Sequence, residues 1–378
     1  MKERYSANGP LAIIRAAAGR ARVLIQPLVA IFVGLAVGAV VIFVTGNDPF
    51  STYVRMFERS FFGLYYFMQT LTRSVPVSVC AAAIIMAWRA GFINLGVEGQ
   101  MITGAFIGTI VAIYAPLPTP FSFALALICG MAAGALLAVF AAFIHDKFNV
   151  SIVISTLMMN YIASHITSYF ITFPLRDTSN DLAIQTREIP LAMRLPRLIE
   201  GNTLSVSFII AVGIILLLTF VNNRTNFGYE SKMTGKNPVF AQYGGIKRRK
   251  VMYASMFISG ALAAMAGMLE VFGVRYRFAE AMFTSTGYAW TGLMAGLISS
   301  LHPIGAFVTS IFLSGLQVGG QAIQRTLNIP LQVATLIQAT ITLFVSIRLF
   351  AQWGADKRAL QAANPPADEE NGKTEGDA

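Results

Sequence analysis

Long apolar runs with almost no charged residues constrain the fold of this chain more than any other feature of its sequence. The clearest of them cover residues 23–44, 121–144, 204–221 and 251–270. Each approaches the roughly 20 residues that an α-helix needs to cross the hydrocarbon core of a bilayer. Only 12% of the residues are charged, which is about half the share found in soluble domains. The sequence therefore predicts a protein that crosses a membrane several times.

Basic residues are concentrated in two segments, and together they dominate the formal net charge of +10. One segment precedes the first apolar run, and the other lies between residues 222 and 250. This distribution is typical of the cytoplasmic side of membrane proteins, so it indicates topology rather than a nucleic-acid partner. The first apolar run is too long for the core of a cleaved signal peptide. We expect residues 1–22 to be cytoplasmic and both termini to lie on that side.

The order of the apolar runs predicts an all-α polytopic membrane protein. We expect about ten transmembrane helices in two inverted repeats, with broken or re-entrant segments. The transmembrane domain would cover residues 23–350, with repeat halves at about 63–173 and 251–349 and a basic loop at 222–250. The polar tail, residues 351–378, is expected to be a disordered cytoplasmic segment.

The repeat is predicted from two segments that align at a fixed offset. They are "FNVSIVISTLMMNYI" (148–162) and "LNIPLQVATLIQATI" (327–341), which share an Asn, a Thr and a Leu at matching positions. Inverted repeats are common in transporters, where the substrate path lies at the repeat interface. Chance similarity between two apolar helices remains the alternative.

The stretch "GFINLGVEGQM" (91–101) interrupts the apolar pattern with three glycines and several polar side chains. It follows a second span that we expect to cover only 75–88, after an amphipathic approach at 63–73. Because non-helical backbone cannot face lipid, we interpret this stretch as a broken helix that re-enters the membrane. Glu98 would then be an ionisable group at depth, with Arg89 near enough to compensate its charge. A plain cytoplasmic loop with a solvated Glu98 is the alternative.

A pathway for a polar solute is predicted along this break and the helices near it. Thr156 and Asn160 share one face of a predicted helix, although such residues also serve as packing contacts between membrane helices. Tyr288 and Trp290 supply aromatic side chains just before another predicted span. The predicted pathway residues are Asn94, Glu98, Gln100, Thr156, Asn160, Tyr288 and Trp290.

The segment "TGKNPVFAQYGGIKRRK" (234–250) combines a predicted short helix, Pro238–Tyr243, with a Gly-Gly stop and a basic run. Such a helix could dock into a cleft of another protein, or the segment could serve only as a topological anchor. The chain contains no P-loop, since Asn237 follows the Gly-Lys pair where Ser or Thr is required. We expect no metal, no cofactor and no enzymatic site, since the few histidines and cysteines have no ligand-like spacing.

Four stretches together resemble the permease subunits of ABC importers of the branched-chain amino acid, ribose and nucleoside group, specifically the nucleoside-type branch. They are "AWRAGFINLGVEGQM", "FNVSIVISTLMMNYIA", "GKNPVFAQYGGI" and "GYAWTGLMAGLISSLHPIGAF". Ala289 departs from the branch, which usually has glycine there. The resemblance implies a transport subunit for a nucleoside or a related ribose-containing solute in the bacterial plasma membrane.

The same resemblance implies a second permease subunit, a separate ABC ATPase and an extracytoplasmic solute-binding lipoprotein as partners, with membrane lipid around the chain. The loop at 174–203 would be a docking surface for the binding protein. By the same resemblance, the residues that couple to the ATPase are Gly235, Asn237, Pro238, Ala241, Tyr243, Gly245 and Ile246. A secondary carrier for a small polar solute is the main alternative, although the scarcity of acidic residues at depth disfavours it. A membrane-embedded enzyme is a weaker one.

Overall fold

The computed structural model describes residues 31–115, 117–179, 183–327, 330 and 332–344. The expected cytoplasmic segment 1–22 and the expected disordered tail 351–378 lie outside the described residues. So does part of the second repeat segment, 327–341, and the inverted repeat therefore stays a prediction. Across the described ranges the chain is α-helical, with two isolated β-bridges and no strand.

Most helices follow one another along the chain with short connections, and the long one lies between α6 and α7. Their bounds are α1 (Ile31–Val44), α2 (Pro49–Phe61), α3 (Leu64–Arg89), α4 (Val97–Tyr114), α5 (Thr119–Phe148), α6 (Ile152–Thr172), α7 (Ser207–Arg224), α8 (Asn226–Lys236), α9 (Pro238–Tyr243), α10 (Arg248–Glu270), α11 (Met282–Thr286), α12 (Tyr288–Ile298), α13 (Pro303–Leu327) and α14 (Gln332–Phe344). A π-helical turn, Val271–Arg275, continues α10.

The chain forms two compact units. In its described part the smaller one combines residues 31–38 with residues 336–344, where Gly34 packs against Ile337 and Ile341. The larger one covers residues 39–335 and contains all the helices from α2 to α13. Every site described below lies within the larger unit.

In the described ranges, 6 helices are long and apolar enough to cross a membrane, namely α3, α4, α5, α7, α10 (with its π turn) and α13. α6 has the length but carries more polar side chains. These helices confirm the all-α polytopic class, whereas the expected number of about ten spans is not confirmed. The chain is an integral membrane protein by this composition and length.

Helix α3 occupies the centre of the bundle and corrects one expectation from the sequence. It is a single helix of 26 residues that begins at Leu64, so the predicted amphipathic approach and short second span are wrong. Pro76 lies inside it without ending it, because packing around a membrane helix compensates the backbone bond that proline removes. In the most apolar stretch of α3, 94% of the residues are buried, whereas in that of α5 only 33% are buried. Helix α3 therefore lies inside the bundle and α5 lies at its periphery.

Small residues allow α4, α5 and α10 to pack closely against one another. A Cβ atom added at Gly104 would collide with Ala264, and one added at Gly134 would lie 2.7 Å from the carbonyl oxygen of Gly260. Close approach of glycine and alanine faces is the main source of helix association in a bilayer, where the hydrophobic effect offers little.

The bundle of the larger unit has two ends. We call the end that carries residues 222–250 the basic end, and the end that carries residues 173–206 and 271–287 the opposite end. At the opposite end these two segments are joined by backbone hydrogen bonds, such as Thr186 N–H to Phe278 O and Leu195 N–H to Phe272 O. Helices α3 and α10 run between the two ends in opposite directions.

Candidate functional site

The break between α3 and α4 lies at mid-bundle depth. The Asn94 amide donates to Ser259 Oγ at 2.9 Å, and Ser259 Oγ donates to the carbonyl oxygen of Ala83 at 2.7 Å. Ser259 stands near the middle of α10, and Ala83 lies well inside α3. Residues 90–96 therefore turn back into the bundle and lie along these helices.

Asn94 and Gln100 pair side by side inside this break. The Asn94 amide donates to Gln100 Oε1 at 2.9 Å, and the Gln100 amide donates to Asn94 Oδ1 at 3.1 Å. Asn94 Oδ1 also accepts from the backbone N–H of Gly96 at 2.9 Å. Both side chains are fully buried. Their side chains provide hydrogen-bond partners for polar groups that the interruption of the helix leaves unpaired. Irregular backbone inside a membrane protein requires such partners.

Thr156 and Asn160 on α6 bind the same break from the other side. Asn160 accepts from Gly99 N–H at 2.8 Å and donates to the carbonyl oxygen of Leu95 at 2.9 Å. Thr156 Oγ1 lies 3.2 Å from the N–H of Leu95 and accepts its hydrogen bond. The structure thus brings four of the predicted pathway residues together, with their polar atoms bonded to the protein.

Glu98 differs from these four because its partner faces outward. It lies in the first turn of α4 and is 9% exposed, and its Oε2 accepts a 2.8 Å hydrogen bond from Trp290 Nε1. The Trp290 side chain is 43% exposed. In the part of the chain that the structure describes, Glu98 forms no ion pair. The N-terminal end of α4 and the indole N–H are the groups that stabilise its negative charge.

Arg89 does not compensate Glu98, contrary to the expectation from their spacing. Its guanidinium donates to the carbonyl oxygen of Asn222, in the last turn of α7, at 3.3 Å. The reason is directional: Arg89 ends α3 at the basic end, while the chain from Gly91 onward turns back into the bundle. The positive φ of +86° at Gly91 allows that reversal.

The basic end touches the break directly. A Cβ atom at Gly91 would lie 3.1 Å from the Cα atom of Gly235, and one at Gly235 would collide with the carbonyl oxygen of Arg89. Gly235 stands near the C-terminal end of α8. The 222–250 segment is therefore in direct backbone contact with the start of the break.

The predicted helix Pro238–Tyr243 is confirmed as α9. Asn237 caps it by accepting from the N–H of Phe240 at 2.9 Å, and Pro238 occupies its first turn. Ala241 is buried, and Ile246 N–H donates to the carbonyl oxygen of Ala241. Gly245, at a φ of +81°, turns the chain towards α10. Three large side chains project from this helix into the surroundings: Val239, Phe240 and Tyr243.

A polar cavity of about 430 Å³ lies at the opposite end, and the sequence patterns did not predict it. Tyr288, predicted for the pathway, lies here and donates to Glu270 Oε1 at 3.0 Å, while Arg275 Nε lies 3.1 Å from the same oxygen. Arg73 stacks over the Tyr288 ring at 5.1 Å. The signal available in the sequence was the pair of charged residues, Arg73 and Glu270, inside otherwise apolar runs.

These features define an integral membrane protein with a polar break at mid-depth, a polar cavity at one end and a projecting helix at the other. Over residues 66–346 the chain matches the family described as branched-chain amino acid transport system / permease component. The protein belongs to this family of permeases.

Individual relatives are similar along most of the chain. It is 30% identical to the guanosine ABC transporter permease protein NupP of Bacillus subtilis, covering 90% of this chain and 98% of that protein. It is 25% identical to the nucleoside ABC transporter permease protein NupB of Lactococcus lactis, covering 88% and 93%. It is 27% identical to the glucose ABC transporter permease protein TsgB13 of Haloferax volcanii, covering 84% and 86%. Such permeases are transport components rather than enzymes, and the family implies an ATPase partner.

Proposed function

We propose that this chain is the permease subunit of an ABC importer and forms the translocation path for a nucleoside or a related ribose-containing solute. The observation that carries the proposal is the 30% identity to a guanosine permease over 90% of the chain. The glucose permease among the relatives shares the family but not the solute, so identity alone does not select the nucleoside. The contacts around Glu98 and Trp290 support a polar path with an aromatic side chain in it.

In this proposal Glu98 and Trp290 line the path. Trp290 is half-exposed at the height of the break, and its indole ring offers a stacking surface to a planar base. Glu98 has a second carboxylate oxygen that can accept hydrogen bonds from ribose hydroxyls. We place this face towards the second permease subunit, so that the path runs between the two subunits.

The other residues predicted for the pathway receive a different role here. Asn94, Gln100, Thr156 and Asn160 are positioning residues, because their polar atoms are engaged with one another and with the backbone of the break. They hold the start of α4, and with it Glu98, at a fixed depth. Tyr288 acts at the cavity rather than beside Trp290.

The projecting helix α9 is the part that would dock on the ATPase. Its exposed Val239, Phe240 and Tyr243 can fill an apolar cleft of a partner, and the contact between Gly235 and Gly91 would carry the movement to the break. The coupling residues in this proposal are Gly235, Asn237, Pro238, Ala241, Tyr243, Gly245 and Ile246. The basic end would then face the cytoplasm together with both termini, in the bacterial plasma membrane.

The opposite end would face the solute-binding lipoprotein. In the described part of the segment 174–203, Glu188 forms an ionic contact in which it accepts from Arg194 at 2.5 Å and also from Arg277. A fixed polar surface of this kind suits a partner that must bind and release in every cycle.

Tagged purification from native membranes in mild detergent, with mass spectrometry of the bound proteins, tests the proposal. Recovery of an ATPase, a second permease and a lipoprotein is the expected result, and the ligand carried by the lipoprotein should be a nucleoside. Recovery of the chain alone, with uptake that does not depend on ATP, would instead favour a secondary carrier.

A further inference from the structure

The cavity at the opposite end has a composition that restricts what it can bind. Among the residues that the structure describes, four arginines line it, namely Arg59, Arg73, Arg275 and Arg325, together with one carboxylate, Glu270. The remaining polar lining comes from two tyrosines, two glutamines and three threonines: Tyr66, Tyr288, Gln69, Gln321, Thr72, Thr203 and Thr326. The lining therefore holds an excess of three positive charges and many more hydrogen-bond donors than free acceptors.

The one carboxylate is already engaged. Glu270 is 3% exposed, and it accepts from both Arg275 and Tyr288. Arg73 donates to the carbonyl oxygen of Thr286 at 3.1 Å and stacks on the ring of Tyr288. Arg59 and Arg325, in contrast, have no hydrogen bond or ion pair with other described residues. Two guanidinium groups are thus available to a ligand.

A suitable ligand must offer neighbouring acceptors in one plane, because the guanidinium group presents its N–H groups as a planar fork. The N7 and O6 atoms of an oxopurine form such an edge, and arginine binds it through two hydrogen bonds. Adenine presents an amino group in place of O6, which would face a second donor. The two glutamines can turn their amides to bind either base, because an amide offers both donors and an acceptor. The arginines, which only donate, would therefore discriminate between an oxopurine and adenine.

We propose that this cavity binds the transported solute through the acceptor edge of an oxopurine ring, with Arg59 and Arg325 as the contacting groups. The inference rests on the proposed function and adds to it a second site, apart from Glu98, and a preference for inosine and guanosine over adenosine. The volume of about 430 Å³ lies within the usual range of small-molecule sites, roughly 300–1,000 Å³.

The test measures ATP-dependent uptake of labelled inosine and adenosine by the intact transporter complex in proteoliposomes. Arg59→Gln and Arg325→Gln should each lower kcat/KM for inosine by about tenfold or more, the range expected for loss of one two-point contact to a base. Uptake of adenosine should change much less. Arg55→Gln is the matched control, since Arg55 is exposed one turn earlier on α2 and does not line the cavity. Selection by the binding protein is the same for every variant, so changes in the inosine-to-adenosine ratio report on this chain.

Three outcomes would overturn the inference. If the wild type takes up inosine and neither cavity variant changes the ratio, the cavity is not the solute site, while the proposed function stands. If inorganic phosphate competes for the cavity and inosine uptake is independent of Arg59 and Arg325, the cavity holds an anion instead. If the wild-type complex takes up no nucleoside at all, the proposed function fails and this inference fails with it.

Discussion

The indole N–H of Trp290 donates to the carboxylate of Glu98 across 2.8 Å, and this bond joins two helices that lie 192 residues apart in sequence. It fixes the first turn of α4, just after the break, to helix α12. One member of the pair is nearly buried and the other is 43% exposed. The nearly buried carboxylate of Glu98 is therefore connected to the surface of the protein through the side chain of Trp290.

We expect Glu98→Ala to abolish uptake without preventing membrane insertion or assembly. Glu98→Gln should retain part of the activity, because the amide oxygen can still accept from Trp290 while the charge is lost. Uptake in proteoliposomes and recovery of the partner subunits are the two measurements, and Glu58→Gln, on the exposed face of α2, is the control. A correctly inserted Glu98→Ala protein with normal uptake would remove Glu98 from the path.

A double-mutant comparison tests whether Glu98 and Trp290 act through their contact or independently of each other. Trp290→Phe keeps an aromatic ring but loses the N–H donor and part of the ring surface, so alone it should reduce uptake. Combined with Glu98→Gln, it should cost less than the sum of the two single effects, since residues in contact are not additive. Full additivity would show that the two residues act separately.

Asn94→Ala should destabilise the protein rather than change its solute preference. The substitution leaves the N–H of Gly96 and the amide of Gln100 without their acceptor, at a cost of about 1–3 kcal/mol for each unpaired buried group. A lower Tm of the purified protein is the measurement. Asn223→Ala, at an exposed position on α7, should leave Tm unchanged. An unaltered Tm in Asn94→Ala would mean that this network does not hold the break.

Gly235→Ala should reduce stimulation of the ATPase by solute while leaving the complex assembled. The new Cβ atom would collide with the carbonyl oxygen of Arg89 and push α8 away from the break. Gly213→Ala on α7 is the matched control, because nothing lies within 4 Å of the position its Cβ would take. Equal ATPase stimulation in both variants would show that the Gly91–Gly235 contact does not transmit movement.

Gly245→Asp should uncouple the ATPase, since a residue with a side chain is strained at a φ of +81°. The substitution would shift α9 relative to α10 and so misplace its exposed side chains. Gly244→Asp, at a φ of −74°, tests whether added charge alone is responsible. Normal ATPase association and stimulation in the Gly245 variant would contradict the coupling role.

Acid should loosen the 173–206 segment through Glu188. Hydrogen bonds from Arg194 and Arg277 lower the pKa of Glu188 in the folded protein. The stability that ionised Glu188 contributes to this segment is therefore present above the ordinary glutamate pKa of about 4.3. It is lost as the pH falls through the lowered pKa of the folded protein. Hydrogen exchange of this segment, compared at neutral pH and below about pH 4, measures the effect. Glu188→Gln should remove that part of the pH dependence, and an unchanged profile in the variant would assign it to other groups.

Local signals in the sequence predicted the helices and the break well. Helix α4 follows from an apolar run, α9 from the Asn-Pro pair that begins it, and the reversal at Gly91 from its glycine. Each of these signals acts within a few residues of the chain. The start of α3 is hidden in the sequence because Arg73 and Pro76 interrupt the apolar pattern, whereas in the structure the helix continues through both residues. Asn94 also donates to Ser259, 165 residues away, and the cavity arginines come from four separate segments. No spacing along the chain could bring these residues together.

ATP-dependent nucleoside uptake by the complex purified from native membranes and reconstituted into liposomes tests the central claim most directly. We predict that labelled nucleoside accumulates only when ATP reaches the ATPase, and that dissipating ion gradients with ionophores has no effect. Accumulation without ATP, or accumulation abolished by ionophores, would contradict the assignment of this chain as an ABC importer permease.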